Sequence, residues 1–87
     1  MNVIFTKIRQ ILHESYSIKY DQIELQTKFE LELGIDSREF FELIVDFEKV
    51  FQVDLFLDDL NEIVTIEDAV NYIEKKLQNK DISPKEL

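Results

Sequence analysis

The sequence predicts an all-α protein, a small four-helix bundle with three long helices, one short helix and a long first loop. Three segments repeat apolar residues at the spacing of an amphipathic helix. Glycine and proline each occur once in the 87 residues, which is too few for the many tight turns of an all-β fold. A chain of this length forms one domain with a single core and has no room for a large enclosed active site.

The first helix is predicted over residues 3–16. Its apolar stripe consists of Ile4, Ile8, Ile11 and Leu12. His13, the single histidine, follows this stripe. The sequence offers it no partner in a recognisable ligand or catalytic pattern, so we expect His13 to be solvated or to cap the helix end.

The first loop is predicted over residues 17–36, where the helical periodicity breaks down. Its apolar residues recur irregularly and are Ile18, Ile23, Leu25, Phe29, Leu31 and Leu33. A structureless loop of this length is unusual in a compact domain. We therefore expect these side chains to pin an ordered loop onto the core. The competing interpretation is a short strand pair, favoured by the alternation of apolar and acidic residues over 29–33.

The second helix is predicted over residues 37–51, shortly after Gly34. We expect Gly34 to adopt a backbone conformation that a side chain would penalise. The buried stripe of this helix is Phe40, Ile44, Phe47 and Phe51, widened by Leu43 and Val50. Asp36 and Glu39 have the spacing of an acidic capping box, with Asp36 or Ser37 as the N-cap residue.

A connector over residues 52–57 is expected to return apolar side chains to the core. A short helix or single turn follows over residues 58–63 and begins with two acids, which suit a helix N-terminus. The segment is rich in oxygen ligands, but it lacks the spacing and internal glycine of an EF-hand, so we reject a calcium loop.

The last helix is predicted to start where Thr65 and Asp68 stand at capping distance. Its buried stripe is Ile66, Ala69, Val70, Ile73 and Leu77. Residues 79–87 contain Pro84 and show no periodicity. We expect one domain over residues 1–78 and a flexible C-terminal tail over residues 79–87.

The composition is acidic, with 19 Asp and Glu against 10 Lys and Arg and a formal net charge of -9. Such a surface repels phosphate backbones, so nucleic-acid binding is not expected. It attracts partners with basic patches. The sequence has no cysteine, no apolar run of membrane-spanning length and no signal-peptide pattern. We expect a cytoplasmic protein.

A serine, Ser37, stands at the start of the second helix directly after Asp36. Catalysis by this hydroxyl would need a base, and none is near in sequence. The chain has one histidine, no phosphate-cradling glycine loop and no metal-ligand cluster, so we predict no catalytic residue and no metal site. The arrangement instead suits a serine that another enzyme modifies.

Several segments between residues 27 and 73 match one family pattern. They read Thr27-Lys28-Phe29, Leu33-Gly34-Ile35-Asp36-Ser37, Glu42-Leu43-Ile44, Phe47-Glu48, Phe51-Gln52-Val53-Asp54-Leu55 and, over residues 65–73, Thr-Ile-Glu-Asp-Ala-Val-Asn-Tyr-Ile. An Asp-Ser pair alone is common, but the same pair behind Leu-Gly with the downstream pattern intact is specific. This stretch resembles the acyl carrier protein family, including the peptidyl and D-alanyl carriers, and implies a bundle of the acyl-carrier type.

The resemblance implies that Ser37 is the attachment point of 4'-phosphopantetheine, which a phosphopantetheinyl transferase moves from coenzyme A. Asp36 would assist this attachment. The terminal thiol of the arm would hold an acyl or aminoacyl group as a thioester for loading and condensing enzymes with basic surfaces. The acids that match docking positions are Glu39, Glu42 and Glu48, with Asp46 and Asp59 as extensions.

The sequence departs from the family pattern after the serine. Arg38 stands where leucine or methionine is usual, at a position that partners touch, and Phe40 and Phe41 replace smaller residues. Aromatic bulk beside the interior would leave little room for a long acyl chain, so we expect a short acyl or aminoacyl cargo. An exposed Phe41 would instead indicate an apolar docking patch. Phe56 and Leu57 occupy a stretch where proline and acids are usual.

Two function classes remain besides the carrier. The chain would be an unmodified, carrier-like adaptor or regulator if its acidic helix bound partners without any attached group. An enzyme in its own right is the least favoured interpretation, for want of catalytic groups. The sequence does not distinguish fatty acid, polyketide and nonribosomal peptide pathways, and a monomer is expected.

Overall fold

A computed structural model describes the backbone of residues 2–55 and 57–81 and the side chains of all of these residues except 57–59 and 79–81. Helix α1 spans Val3–Tyr16, α2 spans Ser37–Phe51 and α3 spans Ile66–Asp81. Two short 3₁₀ helices, Tyr20–Gln22 and Leu57–Glu62, complete the elements. The described residues therefore form the predicted small helical bundle.

The bounds of α1 and α2 coincide with the predicted ones. Helix α1 begins where the Asn2 side chain accepts a bond from the Phe5 backbone N–H at 3.1 Å, which satisfies one of the free donors at a helix start. It ends at Ser17, whose φ of 58° is left-handed. His13 lies exposed in its last turn, with Nδ1 at 2.9 Å from the Ile18 carbonyl oxygen. This agrees with the predicted role at the helix end.

Helix α3 continues through Asp81, and the boundary between a domain over residues 1–78 and a tail over residues 79–87 stays a prediction. The start of α3 is the predicted one. Asp68 Oδ2 accepts bonds from the backbone N–H groups of Val64 and Thr65 at 3.0 and 3.1 Å, and the Asp68 N–H donates to the Thr65 hydroxyl at 3.1 Å. Residues 82–87 lie outside the described residues, so the flexible tail stays a prediction.

The fourth helix is a 3₁₀ helix over Leu57–Glu62. Short segments that cannot pay for an α-helical nucleus commonly take this form. The predicted return of the connector to the core is confirmed for Val53 and Leu55, which are buried. Phe56, which was also predicted to return to the core, lies outside the described residues.

The first loop is ordered by backbone bonds to the start of α3. The Phe29 N–H donates to the Val64 carbonyl at 3.0 Å, and the Ile66 N–H donates to the Thr27 carbonyl at 2.9 Å. No strand forms in residues 2–55 and 57–81 beyond one isolated bridge between Lys28 and Thr65. The ordered-loop prediction is confirmed, and the strand-pair alternative is wrong for this part of the chain.

Residues 28–34 turn instead of extending as a strand. The backbone N–H groups of Glu32 and Leu33 both donate to the Lys28 carbonyl, at 3.1 and 3.2 Å, and that of Gly34 donates to the Glu30 carbonyl at 3.1 Å. The turn directs Leu31 outward, where it is 77% exposed. Its predicted burial with the other loop residues is wrong, because a turn does not keep alternating side chains on one face.

The core lies between the three helices and beneath the first loop. Its buried members are Ile8, Leu12, Ile18, Ile23, Phe29, Ile35, Leu43, Ile44, Phe47, Phe51, Val53, Leu55, Ile63, Ile66, Ala69, Val70 and Ile73. No polar or charged side chain is buried among those that the structure describes. The predicted stripes of all three helices are largely confirmed. Val50 is the exception, since it lies at the edge of its stripe and is 46% exposed.

Candidate functional site

Ser37 is the first residue of α2, and its side chain is exposed. The chain turns toward Ser37 at Gly34, which has φ +70° and open space where a Cβ would stand. Backbone conformation and not crowding therefore explains the glycine. The next residue, Ile35, is buried and its N–H donates to the Phe29 carbonyl at 3.0 Å. This turn anchors the chain one step before the Asp-Ser pair.

A reciprocal capping box fixes the first turn of α2. The Asp36 carboxylate accepts a bond from the Glu39 backbone N–H at 2.8 Å, and the Glu39 carboxylate accepts one from the Asp36 N–H at 3.1 Å. Asp36 is the N-cap residue, as one of the two predicted alternatives had it. The box occupies the N–H groups of residues 36 and 39. The N–H groups of Ser37 and Arg38, the first two helical positions, have no partner within the helix.

A contact from α1 also holds this turn. The Tyr16 hydroxyl donates to the Glu39 backbone carbonyl at 3.3 Å. Burial, with smaller contributions from the carboxylates of Asp46, Glu42 and Glu39, raises the pKa of Tyr16 above its usual value. The phenol therefore remains a donor. The sequence pattern does not point to Tyr16, because the contact joins positions 23 apart that share no local pattern.

A cleft of about 260 Å³ opens beside Ser37. It lies between the start of α2, the turn of the first loop and the segment before α3. Its lining residues are Lys28, Phe29, Glu30, Leu31, Ile35, Asp36, Ser37, Phe40, Leu60, Asn61, Ile63 and Val64. Two of them, Leu31 and Val64, expose apolar surface at 77% and 48%. Ser37 thus stands at the edge of a cleft that both polar and apolar side chains line.

The two neighbouring aromatic residues of α2 point in different directions. Phe40 is partly buried and lines the cleft, with its ring edge-on to Phe29 at a centroid distance of 5.3 Å. Phe41 is 48% exposed. The alternative of an exposed Phe41 is therefore the one that the structure bears out.

The predicted docking residues lie along α2 beyond the serine. Arg38 and Glu42 are exposed and form an ion pair, with Nε and Oε2 3.8 Å apart. An exposed pair of this kind contributes little to stability and leaves both charges available to a partner. Glu48 is less free, because its Oε2 accepts a bond from the Leu55 N–H at 2.9 Å. The side chain of Asp59 lies outside the described residues.

No alternative chemical centre accompanies this site in the described part of the chain. His13 stacks on Tyr20 at a centroid distance of 4.1 Å and is held at the end of α1 by its bond with Ile18. No group of three or more His, Cys, Asp and Glu residues that could hold a metal ion occurs among the residues described. The site described above offers an exposed hydroxyl at a helix N-terminus.

The family described as "Phosphopantetheine attachment site" matches residues 6–73, a span that includes Ser37. The acyl carrier protein of Thermotoga maritima is 39% identical over 74 residues, which are 85% of this chain and 91% of that protein. The acyl carrier protein of Phytoplasma australiense is 36% identical over 75 residues, which are 86% of this chain and 99% of that protein.

The chain belongs to the acyl carrier protein family.

The fold agrees with this membership. A crystal structure of an acyl carrier protein from Thermotoga maritima matches with a TM-score of 0.78 at 24% identity, over 87% of this chain and 88% of that chain. The predicted family and the predicted acyl-carrier type of bundle are confirmed. None of the helices in residues 2–55 and 57–81 is long and apolar enough to span a bilayer.

The residues around Ser37 fit the cofactor of an acyl carrier protein, covalent 4'-phosphopantetheine. Its phosphate would lie at the N-terminus of α2, where free backbone N–H groups and the positive end of the helix dipole favour an anion. The Asp36 carboxylate accepts a bond from the Glu39 N–H within the capping box. The adjacent cleft offers apolar surface to an arm that leaves the serine.

Proposed function

We propose that Ser37 carries 4'-phosphopantetheine and that the protein presents an acyl or aminoacyl thioester on this arm to partner enzymes. The observation that carries the proposal is the exposed hydroxyl at the first position of α2, within the span matched by the attachment family. A carrier needs no base of its own, since the enzymes that it visits supply the chemistry. Its tether gives each of them a high local concentration of substrate.

The attachment step needs a partner for its proton. The Ser37 hydroxyl attacks the phosphorus of coenzyme A that bears pantetheine, and a phosphoester bond forms as the bond to the adenosine bisphosphate breaks. The hydroxyl proton passes to a base of the transferase, since the neighbouring carboxylates of Asp36 and Glu39 are engaged in the capping box. Asp36 fixes the first turn of α2 through this cap and assists the transferase.

The proposed docking surface consists of Arg38, Glu39, Phe41, Glu42 and Glu48. Phe41 supplies exposed apolar area, and the acids around it supply charge for the basic surfaces of a transferase and of loading and condensing enzymes. Glu39 and Glu48 also hold backbone groups of their own chain. Glu42 and Arg38 are therefore the charges most available to a partner.

The test is the mass of the protein after incubation with coenzyme A, magnesium and a broad-specificity phosphopantetheinyl transferase. We expect the intact mass to increase by one phosphopantetheine. The Ser37→Ala variant should show no gain. The Ser15→Ala variant, which removes an exposed hydroxyl within α1, should load like the unaltered protein.

Each other outcome has a definite meaning. If several transferases leave the mass unchanged, the carrier proposal fails, and the exposed Phe41 favours the unmodified adaptor that binds partners through α2. A gain that persists in Ser37→Ala places the attachment elsewhere. A cytoplasmic location and a monomeric state stay predictions, which cell fractionation and light scattering would examine. The genes beside the coding sequence would identify the pathway, for which the sequence makes no prediction.

A further inference from the structure

The cleft beside Ser37 is the recess into which an apolar group on the arm can fold out of water. Phe29 and Phe40 line this recess and form an edge-to-face pair at 5.3 Å. The buried side chains of Ile35 and Ile63 line it as well. Ile44 follows Phe40 by one helical turn and is buried, yet it does not line the cleft. Apart from Ser37, Phe40 is the residue of α2 that lines the cleft.

The size of the recess sets how much cargo it can shelter. Its volume is about 260 Å³. A cavity of about 150 Å³ holds one benzene molecule in another protein, so this recess holds roughly ten carbon atoms at the same density. Part of that space faces solvent, and the arm itself competes for it. Carbon atoms beyond this number have to displace the rings or stay in water.

We propose that Phe40 sets the length of acyl chain that this carrier can shelter, by closing the inner end of the cleft against Phe29. Short acyl and aminoacyl cargo fits the recess, and the end of a long acyl chain remains in solvent. This inference rests on the proposed attachment at Ser37. The length limit is assigned to Phe40 and not to its neighbour Phe41, because Phe41 does not line the cleft and is 48% exposed.

The experiment loads the protein with butyryl, octanoyl and dodecanoyl phosphopantetheine from the matching acyl coenzyme A, and intact mass verifies each product. Thermal unfolding midpoints are then compared with that of the protein loaded with the bare arm. A chain sheltered in the folded state raises the midpoint. We expect the midpoint to rise from butyryl to octanoyl and not to rise further with dodecanoyl.

The variant Phe40→Ala should remove the barrier, so that dodecanoyl raises its midpoint above that of octanoyl by about 4–8 °C or more. Phe40→Leu, a smaller deletion, serves if the alanine variant does not fold. The matched control is Phe5→Ala, since Phe5 is also a partly buried ring that packs on the core but does not line the cleft. The Phe5→Ala variant should show no further rise of the unfolding midpoint from octanoyl to dodecanoyl, as in the unaltered protein.

The outcomes separate this inference from the function on which it depends. Absence of any mass gain overturns both. Normal loading with a midpoint that climbs steadily through dodecanoyl in the unaltered protein overturns the length limit and leaves the carrier in place. A plateau that survives both Phe40 variants shows that another residue closes the recess and equally overturns the assignment.

Discussion

At the scale of single residues, the Asp36–Ser37 pair combines a structural cap with the proposed attachment site. The cap of α2 comes from the Asp36 carboxylate, and the hydroxyl next to it is left free. The cap could be predicted from the sequence because it is local, so its signature lies within four consecutive positions. The inward direction of Phe40 could be predicted too, because Phe40 belongs to the apolar stripe of α2. The exposure of Phe41 could not, since its side chain lies about 100° around the helix from that of Phe40 and no local pattern shows whether other segments cover it.

Two substitutions at Asp36 separate the cap from any assistance to the transferase. Asp36→Asn keeps a good N-cap acceptor and removes the charge, whereas Asp36→Ala removes both. We expect Asp36→Ala to lower the free energy of unfolding by about 1 kcal/mol and Asp36→Asn to lower it much less. If the carboxylate assists attachment, both variants should load more slowly, as followed by mass against time. Normal loading of Asp36→Asn would limit the residue to its structural role.

At the scale of elements, the three long helices were predictable because each repeats its own apolar stripe over more than two turns. The 3₁₀ helix Tyr20–Gln22 was not, since three residues carry no periodicity. The contacts that position the elements relative to one another could not be predicted from the sequence either. The Glu48 bond to the Leu55 N–H and the Tyr16 bond to the Glu39 carbonyl join residues by fold and not by pattern.

The start of α3 makes stability depend on acid pH. Bonds from the Val64 backbone N–H, then from Thr65, lower the pKa of Asp68, although partial burial opposes this. The group is therefore more acidic folded than unfolded, where its pKa is about 3.9. Its contribution is fully present above that value and is lost as the pH falls through the lower, folded pKa.

The variant Asp68→Asn measures this contribution. We expect it to lower the free energy of unfolding by about 1 kcal/mol at neutral pH, because a charged acceptor of two backbone bonds is replaced by a neutral one. Urea unfolding at a series of pH values should show the two proteins converging below about pH 4. A difference that stays constant into strong acid would show that the charge of Asp68 is not its source.

At the scale of the whole molecule, the net charge of -9 acts on encounter with partners more than on the fold. Composition alone predicted attraction to basic surfaces, yet it could not say where a partner would touch. The structure places the exposed Phe41 among the charges of α2, beside the serine. The cleft could not be predicted from the sequence, because three separated segments of the chain form it.

A charge reversal tests the location of this attraction. Glu42→Lys should reduce the kcat/KM of loading by the transferase about tenfold at low ionic strength, mainly through slower encounter. The loss should shrink as salt rises, since exposed charges are screened. The matched control is Glu74→Lys, an equal change at an exposed position of α3. Equal losses in the two variants would mean that only total charge matters.

The bonds between the first loop and the start of α3 act as a clasp across the cleft. They tie the backbone at Thr27 and Phe29 to that at Val64 and Ile66, so the opposite rims of the recess cannot separate without breaking the clasp. The Phe29 carbonyl also holds the residue that leads into the Asp-Ser pair. The first loop, the two rims of the cleft and the start of α2 are therefore linked by backbone hydrogen bonds. In the proposed carrier, the arm would carry the motion that delivery needs while this scaffold keeps its shape.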